Sequence, residues 1–241
     1  MNNKVKISII TVVFNGEKYI EETILSVITQ NYQNLEFIII DGNSSDGTIA
    51  IINKYKEHIT HIISEPDKGI YDAMNKGLNL ASGEIIGFIN ADDYYANGAF
   101  ELINNKIKKL KKDQQAVFYG KMISIRQMKS MVEIVPSLYK IPLRMSISHP
   151  SIFITAPLYK KEKFDTSYSI ASDYNLILKL WYSGVKFIQI NKVLSYMRAG
   201  GASDQYNEIS KEESQIISNR NITVRHNIYS PIRAYRRKIY A

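Results

Sequence analysis

The stretch Gly83-Glu84-Ile85-Ile86-Gly87-Phe88-Ile89-Asn90-Ala91-Asp92-Asp93 runs from β-forming apolar residues straight into two carboxylates. Ile85, Ile86, Phe88 and Ile89 lack clean alternation, the pattern of a strand covered on both faces. Open parallel sheets bind ligands just past the carboxyl ends of their strands, which puts Asp92 and Asp93 where a ligand sits. Adjacent carboxylates repel unless a cation neutralises them, and oxygen ligands suit Mg²⁺ or Mn²⁺. Taken alone, the same residues also make an ordinary turn or helix cap, where Asp is common.

The elements that must position these acids follow from hydrophobic periodicity. Val5–Val13 is a continuous β-branched run, as buried parallel strands are, and Phe14-Asn15-Gly16 breaks it. A helix is expected over Glu17–Gln30, with Ile20, Ile24, Val27 and Ile28 on one face and Asn15 as its cap. Strands are expected at Leu35–Ile40 and Ile59–Ile63, and helices at Ile49–Tyr55, Tyr71–Leu80 and Phe100–Lys112. This βα alternation predicts an α/β fold with a mostly parallel sheet flanked by helices. Its strands end in polar clusters at Asn15, Asp41, Glu65 to Lys68, and Asn90 to Asp93, so these gather along one edge of one sheet.

After about residue 115 the pattern changes. Short strands at Ala116–Tyr119, Lys121–Arg126, Met131–Val135 and Ser151–Thr155 suggest a smaller antiparallel addition, with a helical turn within Leu138–Met145. A helix is expected at Tyr174–Tyr182, then strands at Val185–Ile190 and Val193–Tyr196. Residues 204–241 read as a helical, basic C-terminal extension to a domain over 1–203, whose halves divide near residue 115.

Composition narrows the class. The 241 residues include no cysteine, which removes disulfides and thiolate metal sites. A formal charge of +8 favours anionic partners. The apolar run near the N-terminus is too short for a membrane span and no signal-peptide pattern follows, so a cytoplasmic location is expected. Arg225, Arg233, Arg236, Arg237 and Lys238, interleaved with tyrosines, suit contact with an anionic membrane face. No RNA-binding module accompanies them, so nucleic acid is not an expected partner.

Ile9-Ile10-Thr11-Val12-Val13-Phe14-Asn15, with Ile24-Leu25-Ser26-Val27 and Gln30, resembles the opening of family 2 glycosyltransferases. Asp41-Gly42-x-Ser44-x-Asp46-Gly47-Thr48 is similar to their second-strand signature, and Asn90-Ala91-Asp92-Asp93 resembles their D-x-D region. The run from Glu65 to Gly77 resembles a version found in bacterial cell-surface polysaccharide enzymes. Later in the chain the likeness rests on Ala171-Ser172-Asp173-Tyr174 and the Gly200-Gly201-Ala202-Ser203 turn.

The resemblance implies a GT-A fold and inverting transfer of a sugar from a UDP or GDP sugar to a saccharide or lipid-linked saccharide, with Mg²⁺ or Mn²⁺. On that basis Thr11, Val13, Asn15, Asp41 and Ser44 are expected at the base and ribose. Lys68, Asp72 and Asn75 are expected near the rest of the donor, since Asp72 and Asn75 share a helix face. Asp92 is the first choice of metal ligand; Asp93 is expected to bind the metal through water or to hold another donor group, and His149 to contact the acceptor or the metal. Asn90 stands where the family often has an acid, which leaves it as a carbonyl ligand or a ribose contact. Asp173 matches the family's catalytic base, although a carboxylate in a first helical turn is also commonplace.

Two other classes compete. A nucleotidyltransferase needs a Gly-rich basic loop after the first strand, and Phe14-Asn15-Gly16-Glu17 is not one. A regulatory nucleotide-binding α/β domain, such as a receiver, needs neither the added strands nor Asp173.

Overall fold

The structure is a computed structural model that describes residues 4–126, 130–200 and 206–224. The first half comprises β1 (Ile7–Val13), α1 (Ile20–Ile28), β2 (Leu35–Asp41), α2 (Thr48–Lys54), β3 (His61–Ser64), α3 (Ile70–Leu80), β4 (Ile85–Asn90), β5 (Tyr94–Tyr95) and α4 (Ala99–Ile107). The second comprises β6 (Ala116–Ile125), β7 (Met131–Ile134), β8 (Ile152–Thr155), α5 (Ala156–Lys161), α6 (Ser172–Tyr182), β9 (Lys186–Arg198) and α7 (Tyr206–Val224). One sheet has the order β3-β2-β1-β4-β8-β6-β9-β5, with β7 off this path and paired antiparallel to the end of β6.

All of β1 is buried because the sheet is covered on both faces. Ile10 and Val12 point into a core shared with Tyr71, Met74 and Leu78 of α3. Ile7, Ile9 and Val13 point into the other, shared with Ile20, Ile24 and Val27 of α1. This is the period-two alternation of a strand meeting two helical stripes. The strands β3, β2, β1 and β4 are parallel, and the register Ile7↔Leu35 and Ile7↔Ile85 sets their carboxyl ends level.

The second half departs from expectation in its connectivity. The segments read as two short strands on each side of Gly120 form one strand, β6, whose register shifts at Gly120, Lys121 and Met122. Likewise β9 is a single strand through Asn191 and Lys192. It joins β6 in parallel, while β8 is antiparallel to both β4 and β6. A bulge and two polar residues in a long strand look like turns in sequence, which explains the split reading. The helix α1 starts later than expected because Asn15 (φ 50) and Gly16 turn the chain first. Its N-cap is Tyr19, so Asn15 does not cap it.

Among the described residues, no helix is long and apolar enough to cross a membrane. The helix α7 packs into the body of the fold, with Ile216 fully buried. The basic residues from Arg225 onward, and Gly201-Ala202-Ser203, lie outside the described residues.

Candidate active site

A cleft of about 1110 Å³ opens at the carboxyl ends of β1 and β4. Its walls include Val13, Phe14, Asn15, Asp67, Gly69, Tyr71, Asn90, Asp92, His149 and Asp173. The strand β4 delivers Asn90 and Asp92, and the first turn of α6 delivers Asp173.

Asp92 is partly exposed and faces the cleft. Burial pushes its pKa up, while the Arg198 guanidinium pulls the other way. Asn90 adds a buried side-chain oxygen, Oδ1, with no hydrogen-bond partner in the protein. An under-neutralised carboxylate beside an orphaned carbonyl oxygen is a donor set suited to a hard divalent cation.

Asp93 holds a donor group of the protein, one of the two roles expected for it. It is 1% exposed, and its Oδ1 accepts the Arg198 amide at 3.1 Å. Burial raises its pKa well above the ordinary carboxylate value, and the Asp92 charge adds to this. Arg198 also donates to the Asp92 carbonyl, pairs with Glu22, and lies over the rings of Tyr19 and Tyr94 at 4.6 and 4.9 Å. It therefore clips the end of β9 to the acidic turn.

His149 lines the cleft, but as part of an aromatic stack. Its ring lies on Phe88 at 5.6 Å and edge-on to Phe164 at 5.9 Å. Burial lowers its pKa, against the pull of Asp173. Among the described residues, no three His, Cys, Asp or Glu side chains converge to hold a metal. The Nε2 of His149 is buried and has no hydrogen-bond partner in the protein.

The carboxylate of Asp173 is held in place. Its Oδ1 accepts from the Tyr174 amide at 2.8 Å and lies 3.1 Å from the Tyr71 hydroxyl. That hydroxyl is also 2.7 Å from the Ile170 carbonyl. The loop before α6 is fixed from α7: Glu212 accepts the amides of Ser169, Ile170 and Ala171 at 2.8 to 2.9 Å. Burial raises the pKa of Tyr71 well above its usual value, and Asp173 adds to the shift, so the phenol stays protonated.

Several expected donor contacts fall elsewhere. Val13 and Asn15 line the cleft, but Thr11 is fully buried within β1. Asp41 is sealed, and its carboxylate is occupied by Ser44 Oγ at 2.5 Å, Ser44 N at 3.0 Å and Ser64 Oγ at 2.6 Å. Ser44 Oγ in turn accepts the Asn15 amide at 2.8 Å. Asp41 and Ser44 therefore brace the ends of β1 and β2 instead of lining the cleft. Lys68 is exposed outside it, and Asp72 caps the start of α3 by accepting the Lys68 amide at 3.0 Å. The amide of Asn75 is used up on the backbone of Phe164, at 2.9 and 3.1 Å. A shared helix face placed Asp72 and Asn75 together, but that face packs on protein.

Some cleft residues escaped sequence reasoning. Phe14 is 65% exposed at the rim, and its signal was a large apolar side chain just past a buried strand. Asp67 faces the cleft in place of Lys68, held by accepting the Gly69 amide at 2.8 Å. Gly69 has φ 111, a left-handed conformation that favours glycine at this entry to α3. Tyr71 and Glu212 reach Asp173 and its loop across long sequence separations, which left no local signal.

Comparison with known proteins bears on the family and the fold. Residues 8–165 match the model of Glycosyl transferase family 2. A glycosyltransferase of Rickettsia typhi is 29% identical over 198 residues, covering 78% of this chain and 60% of that protein. TuaG of Bacillus subtilis, named for teichuronic acid biosynthesis, is 36% identical over 103 residues, covering 42% of this chain and 41% of its own. The chain thus spans less than two thirds of either relative. The fold is similar to Staphylococcus aureus TarS, residues 1–349, crystallised with UDP-GlcNAc: TM-score 0.69 at 20% identity, over 89% of this chain and 71% of that one. This is a GT-A fold, and because the family match extends over more than half of the sequence, including the strands that present Asn90 and Asp92, the chain belongs to glycosyl transferase family 2.

Proposed function

We propose that this chain is an inverting, metal-dependent glycosyltransferase that moves a sugar from a UDP or GDP sugar to a saccharide or lipid-linked saccharide, in assembly of a bacterial surface polysaccharide. The observation that carries this reading is that one cleft brings together Asp92, at the end of β4, and Asp173, at the start of α6. The surface-polysaccharide setting is supported by the likeness to TuaG.

The residues divide the work. Phe14 offers an exposed π face at the rim for a nucleobase, and Val13 and Asn15 continue that wall. Asp92 and the Asn90 carbonyl oxygen would hold the cation. Mg²⁺ keeps several water and phosphate ligands, so a short protein donor set suffices. When bound, the divalent cation stabilises charge on the leaving diphosphate as a Lewis acid. Asp173 removes the proton from the acceptor hydroxyl as that oxygen bonds to the anomeric carbon and the sugar–phosphate bond breaks. Tyr71 and the Tyr174 amide keep the receiving carboxylate oriented.

The test is a thermal-shift screen of nucleoside-diphosphate sugars with and without Mn²⁺. The true donor at a hundredfold excess over its Kd stabilises the fold by about 2.7 kcal/mol. Asp173→Asn keeps that shift and loses transfer by about 10³-fold. Unchanged transfer by this variant would refute the base assignment.

A further inference from the structure

We propose that the loop 137–146 is a docking surface for an anionic bilayer, set to hold the mouth of the cleft against the membrane. Large exposed apolar side chains among the described residues are concentrated on this loop and the hairpin beside it. Met131, Val132, Val135, Tyr139 and Leu143 are exposed by 63, 38, 59, 67 and 72%, and only Phe14 and Leu25 lie elsewhere. A cluster of this kind on a well-packed protein marks an interaction surface.

The loop is preformed. Its ends are tied where Ser137 N donates to Ser146 O at 3.0 Å and Ser146 Oγ to Ser137 O at 2.7 Å. Its middle is pinned by Ile141, fully buried in the core, whose carbonyl accepts the Tyr174 hydroxyl at 2.9 Å. Between these anchors the chain makes a helical turn, with Arg144 N donating to Lys140 O at 3.0 Å. Tyr139 and Leu143 are therefore neighbours at i and i+4, as are Lys140 and Arg144 beside them. Ile141 already satisfies the core, so Tyr139 and Leu143 project by construction.

Charge selects the partner. The loop Ser137-Leu-Tyr-Lys-Ile-Pro-Leu-Arg-Met-Ser146 has two basic residues and no acid. On the adjoining hairpin, Glu133 is paired with Lys121 at 2.8 Å. Glu213, which faces Arg144, is engaged by the Met145 amide at 2.8 Å. Aromatic and aliphatic tips flanked by Lys and Arg are the chemistry of an interfacial membrane contact with anionic lipid. Lys140 and Arg144 also line the cleft, so docking brings its opening to the lipid surface. The use of such docking rests on the proposed lipid-linked acceptor, while the surface itself rests on these residues.

The test is co-sedimentation of the full chain with phosphatidylcholine vesicles, with and without phosphatidylglycerol, at low and high salt. The wild type binds the phosphatidylglycerol vesicles. Tyr139→Ser/Leu143→Ser lowers that affinity at least tenfold, and Lys140→Gln/Arg144→Gln lowers it chiefly at low salt. Stabilisation by donor sugar stays at wild-type size in Tyr139→Ser/Leu143→Ser, which separates failure of docking from failure of the proposed activity. Wild-type vesicle binding by the serine variant overturns the proposal, and so does absence of binding by the wild type. A wild-type dimer in sedimentation velocity that the serine variant abolishes also overturns it, in favour of a second copy of the chain.

Discussion

Glu36 and Asp93 are both acids sealed into the same sheet, at opposite ends of its strands. Glu36, at the amino end of β2, is 3% exposed and accepts from Lys6 Nζ at 2.8 Å, Ser8 Oγ at 2.5 Å, and Ser82 N and Oγ at 2.7 and 2.5 Å. Burial pushes its pKa up, but these partners outweigh it and hold the carboxyl at about 2. Asp93, just past the carboxyl end of β4, is 1% exposed and is driven the other way by burial and by Asp92. The same contrast extends to neutral groups. Thr11 Oγ1, Asn90 Oδ1, His149 Nε2 and Ser172 Oγ are buried without protein partners in β1 or around the cleft, with Gln30 Oε1 the exception elsewhere. Each such group costs about 1–3 kcal/mol. Glu36 at the amino end of β2 is satisfied by its neighbours, whereas around the cleft Asn90, His149 and Ser172 each keep a buried polar atom without a protein partner.

The comparison breaks if substitutions at the two ends have the same effect. The largest expected change is Asp92→Ala, which lowers transfer by about 10³-fold through loss of cation-assisted charge stabilisation. Its thermal midpoint without metal does not fall, because the removed carboxylate is itself under-neutralised. Glu36→Gln does the reverse. It leaves Lys6 and two serine donors poorly matched and costs about 2 kcal/mol, or about 6 °C in a chain of this size, while donor turnover per folded molecule is kept. Glu36 has a lowered folded pKa, so its stabilisation is complete above the unfolded carboxylate value of about 4.3. It fades as pH falls towards the folded value of about 2. Urea midpoints of wild type and Glu36→Gln therefore converge over that interval.

The parallel half was legible in sequence for a simple reason. Val5–Val13 and Leu35–Ile40 are mostly apolar, β-branched runs, and α1 and α3 carry stripes at helical spacing, so periodicity alone orders them. The cleft was legible where chemistry coincides with a strand end, as at Asn90 and Asp92, and at Asp173 through the family resemblance. Asp41 and Asn75 show the limit of this reading. Both have suitable types at suitable positions, yet Ser64 and the Phe164 backbone reach them from elsewhere in the chain. Tertiary partners decide whether a polar strand end faces ligand or protein. The parallel pairing of β9 with β6 was hidden for a similar reason, since strand direction is set by connections and not by composition.

Asn90→Asp sharpens the contrast by adding the missing acid at an atom that has no partner. A second carboxylate beside Asp92 raises Mn²⁺ affinity by about tenfold, or about 1.4 kcal/mol, read by titration calorimetry. Like-charge repulsion makes the metal-free protein less stable, so the gap between metal-bound and metal-free midpoints widens. Unchanged affinity would mean that Oδ1 of Asn90 faces the ribose and not the cation.

The smallest effect is the most direct test of why Asp93 differs from Glu36. The substitution Asp93→Asn keeps Oδ1 for the Arg198 amide but removes the charge at every pH. A carboxyl with a raised folded pKa holds its proton more tightly in the folded state. Its contribution is therefore fully present below the unfolded Asp value of about 3.9 and is lost as pH rises through the folded value. In metal-free buffer, Asp93→Asn should match the wild type at acid pH and exceed it by about 1 kcal/mol in urea unfolding at mildly alkaline pH. The gain comes from removing an ionised group that burial and Asp92 both oppose. A variant weaker than wild type throughout would show that Arg198 satisfies Asp93 as fully as Lys6 and the two serines satisfy Glu36, and the distinction between the two ends of the sheet would then fail at its centre.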